Sequence, residues 1–192
     1  MIHELLKHKK VILASASPRR KQIFDLIGVT VLQMPAHIPE EQVFSNPIKL
    51  VKFHARNKAA AIKKHFENDH LIVAADTIVY LENEVLEKPL DKMQATEYLS
   101  RLSGNSHYVY TGIAIAYKNQ IIADYQKTRV TFNHLSAQEI EAYIKTKEPM
   151  DKAGAYGIQG FGSQFIVRIS GCYFNVMGFP VPLFYRMLEK IL

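Results

Sequence analysis

The sequence contains very little cysteine and no long apolar run, and both absences limit what the protein can be. Cys172 is the single cysteine among 192 residues, so the chain forms no internal disulfide, which suits a reducing compartment. No apolar run approaches the roughly 20 residues that a membrane-spanning helix needs, and residues 1–10 lack the apolar stretch of a secretory signal. We therefore expect a cytoplasmic protein that does not insert into a membrane.

Several motifs of well-known enzyme classes are also absent. The chain has no GxxxxGK[ST] loop, no GxGxxG, no GxSxG elbow, and its eight histidines never take the HExxH spacing. Walker-type, serine-triad and zinc-protease chemistries are therefore disfavoured. If phosphate is bound beside Asp and Glu oxygens, the expected cofactor is a hard divalent cation, Mg²⁺ first, with Mn²⁺ or Co²⁺ as alternatives.

The composition is that of an ordinary folded protein with a basic excess. Hydrophobic residues make up 48% and charged residues 22% of the chain, so neither disorder nor a fibrous architecture is indicated. The 24 basic and 18 acidic residues give a formal net charge of +6, which leaves two hypotheses open. One is a nucleic-acid binding module, and the other is an enzyme for a small, phosphate-rich substrate. We favour the enzyme, without stable nucleic-acid binding, because the basic residues are scattered and match no nucleic-acid binding motif.

No repeat, low-complexity tract or linker divides the sequence, which predicts a single domain over residues 1–192. Helical and strand-like segments alternate around a two-strand meander, which predicts an α/β fold with a mixed sheet flanked by helices. Predicted strands cover residues 11–14, 29–34, 71–75, 77–81, 84–86, 108–117, 121–132 and 164–169. Predicted helices cover residues 18–27, 47–66, 91–103, 136–144 and 180–192.

The stretch "LASASPRR", residues 13–20, places a strand directly before a helix that begins with two arginines. Ser17 is a favoured N-cap and Pro18 a favoured first helical residue, so free backbone N–H groups face the same end as Arg19 and Arg20. The helix dipole disfavours arginines in the first turn, so a pair of them calls for a negative ligand. We interpret the stretch as a phosphate-binding cradle that includes Ser15; the alternative is an ordinary cap with two solvated arginines.

Asp76 and Lys58 are candidate polar residues at positions that should be buried. Asp76 follows the apolar run 71–73, at the end of a strand where α/β proteins tend to hold ligands, and is a candidate metal ligand or base; a purely structural cap is the alternative. Lys58 lies on the apolar stripe of the predicted helix 47–66, three residues after Ala55. It therefore needs a partner, unless its stem lies along apolar surface with the amine in water.

Two later segments offer further candidates. Lys88 precedes Pro89, which stiffens the chain after the predicted hairpin. The segment 151–160 is rich in glycine and small residues, which indicates that its backbone passes close to other atoms of the protein or to a ligand. Gln159 presents a side-chain amide in this segment. A solvated lysine and a bland tight loop are the alternatives.

These stretches, in this order, resemble the Maf family of nucleoside triphosphate pyrophosphatases, which is related in fold to the inosine triphosphate pyrophosphatases. The resemblance covers nearly the whole chain: residues 13–20, the region of Glu40, residues 55–59, 75–77, 86–89, 102–107 and 148–160. The segment "DKAGAYGIQG" followed by "NVMGFP" is similar to the subgroup that prefers dTTP and UTP.

The resemblance implies a fold and an activity. The implied fold is an elongated mixed sheet flanked by helices, with two lobes around a central cleft, in the manner of inosine triphosphate pyrophosphatase, often as a homodimer. The implied activity is metal-dependent hydrolysis between the α- and β-phosphates, as house-cleaning of nucleotide pools. The alternative attached to the family is a nucleotide-binding regulator of septum formation that acts through a protein partner.

The resemblance also implies roles for particular residues. The substrate-binding set is Ser15, Ser17, Arg19, Arg20, Lys58, Thr77, Lys88 and Gln159. Glu40 and Asp76 would hold the metal and the attacking water, and with Lys58 they form the catalytic set. His54 stands where the family commonly has an aliphatic residue, so we expect it to be peripheral, and Pro39 breaks the usual acidic pair next to Glu40.

Overall fold

The computed structural model describes residues 1–39, 41–66 and 69–192, and these residues form helices and strands around one mixed sheet. The described strands are β1 (Lys10–Leu13), β2 (Leu32–Gln33), β3 (His70–Leu81), β4 (Glu84–Leu86), β5 (Ser106–Tyr117), β6 (Gln120–Phe132) and β7 (Ile166–Ser170). The described α-helices are α1 (Ile2–Leu6), α2 (Pro18–Leu26), α3 (Pro47–Lys63), α4 (Lys92–Leu102), α5 (Ala137–Lys145), α6 (Tyr173–Val176) and α7 (Val181–Ile191). The predicted α/β class is confirmed. No helix of the described ranges combines the length and apolarity needed to cross a membrane.

The sheet has seven strands in the order β2-β1-β3-β5-β6-β7, with β4 paired to β3. β1 runs parallel to both of its neighbours, and Leu13 is in register with Gln33 of β2 and Val73 of β3. β4 pairs antiparallel with β3, and β7 antiparallel with β6. The parallel part therefore brings the carboxyl ends of β1 and β2 beside the segment of β3 that leads to Asp76.

The chain divides into two compact units. The first contains Met1–Asp76, Thr111–Gln126 and Gly178–Leu192, and the second contains Thr77–Tyr110 and Lys127–Met177. Each unit has its own apolar core. The single-domain organisation over residues 1–192 stays a prediction.

In the first unit, α3 packs against the strands because its apolar residues recur at helical spacing. Asn46 caps this helix, since its side-chain oxygen accepts hydrogen bonds from the backbone N–H groups of Ile48 and Lys49, as the sequence predicts. The cluster contains small residues on both sides of the contact: Ile12, Ala14, Ala55, Ala59, Ile62, Ile72, Ala74, Ala114 and Ala116. Small side chains let the helix approach the strands closely. This close approach sets the distance between the sheet and the residues on the inner face of the helix.

In the second unit, α4 and α5 cover a larger, more aromatic core that includes Tyr98, Phe132, Tyr143, Tyr156 and Phe165. Asp91 caps α4, and Ser136 with Glu139 forms the predicted capping box of α5. Three 3₁₀ segments, Glu148–Asp151, Ala153–Ala155 and Gly160–Phe165, follow α5.

Some predicted boundaries are wrong. The two strands predicted at residues 71–75 and 77–81 are one strand, β3, because Asp76 and Thr77 continue the extended backbone. Residues 164–165, predicted as strand, end a 3₁₀ segment, and β7 begins at Ile166. The sequence does not predict α1 and α6, because these helices have only 5 and 4 residues and therefore carry almost no periodic signal.

Candidate functional site

Asp76 lies within β3 and is almost completely buried, with 4% of its surface exposed. Lys58, on the inner face of α3, donates a hydrogen bond from Nζ to Asp76 Oδ1 over 2.7 Å. The lysine is itself 7% exposed, so almost all of its side chain is buried. The partner that the sequence requires for Lys58 is therefore Asp76, and the two form a buried ion pair.

His54 is the third member of this cluster, and the expectation that it is peripheral is wrong. Its side chain lies on α3 one turn before Lys58 and is 5% exposed. Nδ1 lies 3.3 Å from Asp76 Oδ2, and Nε2 lies 2.9 Å from the backbone oxygen of Glu41. A signal for it was present, because residues 51, 54, 55 and 58 share one helix face.

The electrostatics of the cluster keep Asp76 charged. Burial by itself raises the pKa of Asp76, but the hydrogen bond from His54 and the charge and hydrogen bond of Lys58 outweigh burial and lower that pKa below its ordinary value. The hydrogen bond to Asp76 raises the pKa of His54, against the opposing effects of burial and of Lys58. The cluster is a buried carboxylate held by the Lys58 amine and by the His54 ring.

The loop between β1 and α2 is held by side chains rather than by the cap that the sequence predicts. Ser17 occupies the N-cap position but makes no capping hydrogen bond with its side chain. Arg20 donates from Nε to the backbone oxygen of Gly178 and from Nη1 to Ser15 Oγ, each over 2.9 Å. Gln33, which the sequence analysis did not single out, donates its side-chain amide to the backbone oxygen of Ser15 over 3.1 Å. The loop is therefore braced from two sides.

The beginning of α2 has the properties of an anion site. Its first turn contains no acidic residue, and the side chain of Ser17 takes up none of its amide groups. Arg19 and Arg20 are both half-buried. The N–H groups of a helix N-terminus and guanidinium donors together favour phosphate oxygens, as the cradle interpretation requires.

The parallel register relates the cradle to the Asp76 cluster within the first unit. Leu13 and Val73 are partners on adjacent parallel strands, and the backbone N–H of Ala14 donates to the oxygen of Val73 over 2.8 Å. Ser15 lies two residues beyond Leu13, and Asp76 lies three residues beyond Val73. The sequence-predicted residues Ser15, Ser17, Arg19, Arg20, Lys58 and Asp76 all belong to this unit.

The remaining candidates lie in the second unit or outside the described residues. Thr77 is half-buried in β3, whereas Lys88 and Gln159 are exposed. Glu148 holds the loop that carries Gln159, because its carboxylate accepts hydrogen bonds from the Tyr143 hydroxyl and from the backbone N–H groups at 161 and 162. Glu40 lies outside the described residues.

The described side chains supply one buried carboxylate but not a complete metal shell. No group of three or more His, Cys, Asp or Glu side chains within residues 1–39, 41–66 and 69–192 comes together as a metal-binding set. Mg²⁺ is commonly held by one or two carboxylates together with water and substrate phosphates, so Asp76 fits such an ion as one ligand. A cavity of about 220 Å³ in the second unit, lined by residues such as Tyr143, Phe161 and Phe165, includes none of the predicted site residues.

Comparison with known proteins finds a matching family model, curated relatives and a solved structure. The family model described as "Maf-like protein" matches residues 10–191. A dTTP/UTP pyrophosphatase of Bacillus anthracis is 44% identical over 183 residues, with 95% of each chain covered. A dTTP/UTP pyrophosphatase of Bacillus cereus is also 44% identical, over 95% of this chain and 90% of its own. Among solved structures, a HAM1 protein of Coxiella burnetii is 13% identical with a TM-score of 0.48, covering 82% of this chain and 80% of that one.

Proposed function

Because the chain belongs to the Maf family and is a nucleoside triphosphate pyrophosphatase, we propose that its substrates are dTTP and UTP. We propose further that it cleaves the bond between the α- and β-phosphates and releases a nucleoside monophosphate and pyrophosphate. The observation that supports this function best is the buried Asp76 carboxylate with Lys58 at 2.7 Å, in the same unit as the arginine cradle. The names of the two Bacillus relatives support the choice of pyrimidine substrates.

The cations have a direct role in this reaction. Negative charge grows on the departing pyrophosphate, so donors that already point at the phosphates stabilise the transition state more than the ground state. The cradle supplies Arg19, Arg20 and the N–H groups of α2, and Lys58 supplies a buried amine. A tethered guanidinium such as that of Arg20 loses little freedom on binding, because its orientation is already fixed by Ser15 and Gly178.

Asp76 acts as an anionic anchor in this proposal rather than as a proton acceptor. A general base works best when its pKa lies near the working pH, whereas the contacts of Asp76 lower its pKa below the ordinary aspartate value. A permanent carboxylate can orient the attacking water by accepting its hydrogen bond.

A divalent cation is part of the proposal. Asp76 would hold it together with phosphate oxygens, and Glu40 is the second candidate carboxylate. When bound, such an ion would neutralise phosphate charge and lower the pKa of a coordinated water. Thr77, Lys88 and Gln159 are proposed as further substrate contacts, each open to test by single substitution.

The decisive experiment measures which phosphate product appears from dTTP and UTP with Mg²⁺. Pyrophosphate is expected from the wild-type protein, and Asp76→Asn should lower kcat by about 10²-fold or more, because a preorganised charged group contributes a few kcal/mol to transition-state stabilisation. Asp69→Asn is the matched control, since Asp69 is an exposed carboxylate paired with Lys10. Release of orthophosphate would contradict the bond assignment, and a folded Asp76→Asn variant with wild-type kcat would contradict the role of Asp76.

A further inference from the structure

His54 uses both ring nitrogens inside the Asp76 cluster. Nδ1 faces Asp76 Oδ2 at 3.3 Å, and Nε2 faces the backbone oxygen of Glu41 at 2.9 Å. A carbonyl oxygen only accepts hydrogen bonds, and an ionised carboxylate does the same. In each contact the ring nitrogen can therefore only be the donor, so the imidazole ring lies between two acceptors on its opposite sides.

The two oxygens of Asp76 are held by different residues of one helix. Lys58 holds Oδ1 and His54 holds Oδ2, and the two donors lie one turn apart on α3. Rotation of the carboxylate about its terminal bond is broad when it is unconstrained, and one donor fixes only one of the oxygens. The second donor fixes the plane of the group and so the directions of its remaining lone pairs.

We infer that His54 is a positioning residue for the hydrolysis reaction, acting through Asp76, whose carboxylate plane it fixes from Nδ1. The inference rests on the proposed function, in which Asp76 orients the attacking water. The contact of His54 Nε2 with the backbone oxygen of Glu41 belongs to the same arrangement, because it holds the imidazole ring from the side opposite Asp76. A histidine that merely filled the core would be exchangeable for an apolar side chain of similar size without effect on turnover.

Three substitutions separate the two contacts. His54→Leu removes both donors, His54→Asn places an amide nitrogen close to the former Nδ1, and His54→Gln places one close to the former Nε2. Loss of an outer residue that orients a functional ligand typically costs about 10- to 100-fold in activity, so His54→Leu should lower kcat by about that factor. KM for dTTP should stay within about twofold, because phosphate binding is left to the cradle.

The rescue pattern carries the test. His54→Asn should recover most of the lost kcat, and His54→Gln should not. His65→Leu is the control for a change of the same kind, since His65 is exposed just beyond α3, and it should keep wild-type kcat and KM. The comparison of the Asn and Gln variants decides the question even when the Leu variant fails to fold.

Several results would overturn the inference. Equal kcat for the Asn and Gln variants, or recovery with Gln alone, would remove the role of the Asp76 contact, and a Leu variant with wild-type kcat would remove any positioning role. In each of these cases the wild-type protein still releases pyrophosphate, so the proposed function stands. A wild-type protein that hydrolyses no nucleotide would instead overturn the proposed function itself.

Discussion

At the residue scale, Arg20 contributes both a positive charge and a particular arrangement of hydrogen-bond donors. Its guanidinium contacts the Gly178 oxygen and the Ser15 hydroxyl at the same time. Lysine carries the same charge at a single nitrogen and cannot reproduce this fork. The residue therefore supports the loop as well as the proposed phosphate site.

Arg20→Lys should raise KM for dTTP by about tenfold, because the charge is kept while its orientation is lost. Steady-state kinetics on purified protein would measure the change. Lys21→Ala is the matched control on the same helix, since Lys21 pairs with Asp25 one turn later on an exposed surface. An unchanged KM in Arg20→Lys would show that the fork geometry is unnecessary for binding.

His107 gives a second prediction at this scale, concerning acid stability. Its side chain is 1% exposed, Nε2 lies 2.7 Å from the Tyr156 hydroxyl, and burial lowers the pKa of His107 from 6.5 to about 3. The unfolded chain takes up a proton near pH 6.5 while the folded chain does not, so the folded state loses stability as pH falls from about 6.5 towards 3. Between pH 7 and pH 5 this group alone should lower the free energy of unfolding by about 2 kcal/mol.

The measurement is urea unfolding at pH 7 and pH 5 for wild type, His107→Phe and Tyr156→Phe. His107→Phe should lose the part of the acid dependence that belongs to the histidine, whatever its stability at pH 7. Tyr156→Phe keeps the buried imidazole and should keep the acid dependence. Equal pH dependence in wild type and His107→Phe would show that this histidine is not the source.

The candidate site was predictable where a single residue contradicts its surroundings. Lys58 is a charge on an apolar stripe, and Asp76 is a charge after an apolar run, so each demanded a partner before any geometry was known. His54 lies on the same face, and its spacing from Lys58 indicates burial, whereas its departure from the family pattern alone predicts a peripheral residue. Gln33 could not be found, because a polar residue beside a short strand has no distinctive pattern.

At the scale of elements, short-range chemistry was the most reliable guide. The caps at Asn46, Asp91 and Ser136 depend on residues three positions apart or fewer, so the sequence contains the whole interaction. The sequence does not predict the continuous strand through Asp76, because a charged residue after an apolar run indicates the end of a strand. In the structure, Lys58 and His54 on α3 compensate the charge of Asp76, so the strand continues. Tertiary partners of this kind are not visible in a local pattern.

Gly112→Ala tests the contact between α3 and the sheet. Gly112 lies in β5, and a Cβ at this position would overlap the backbone carbonyl of Val51 in α3. The helix would have to move away from the strand, so we expect a loss of about 1–3 kcal/mol in the free energy of unfolding together with reduced kcat, since the same helix carries Lys58.

Gly28→Ala is the control for this prediction. Gly28 has a φ of +70°, and a methyl group added there would meet no atom within 4 Å. Its substitution therefore costs backbone strain alone, about 1 kcal/mol, and should leave kcat unchanged. Thermal or urea unfolding together with pyrophosphate release measures both effects. Wild-type kcat in a destabilised Gly112→Ala variant would show that catalysis does not depend on the distance between α3 and the sheet.

At the scale of the whole molecule, the division into two units was not predictable from composition. The first unit is assembled from three separate stretches of chain and the second from two. Three of the four passages from one unit to the other fall inside β3, β5 and β6, where no linker marks them, and the fourth falls between α6 and α7, at Met177 and Gly178. A search for Gly- or Pro-rich linkers therefore does not find the three passages inside strands, and the prediction of one domain follows from this lack of a signal. The homodimer, the cytoplasmic location and the regulatory role in septum formation stay predictions.

The net charge of +6 is a property of the whole molecule and leads to a prediction about salt. A nucleoside triphosphate carries several negative charges, so long-range attraction should raise its rate of encounter, and salt should screen that attraction over a Debye length of about 10 Å at 0.1 M. We expect kcat/KM for dTTP to fall several-fold between about 50 and 500 mM KCl, with little change in kcat. Sucrose at matched osmolality is the control, because it changes water activity without screening charge. The nucleic-acid hypothesis makes a different prediction. Duplex DNA at low salt would then compete with dTTP and raise the KM for dTTP. Salt-independent kcat/KM would show that only the local cradle, and not the overall charge, brings the substrate to the site.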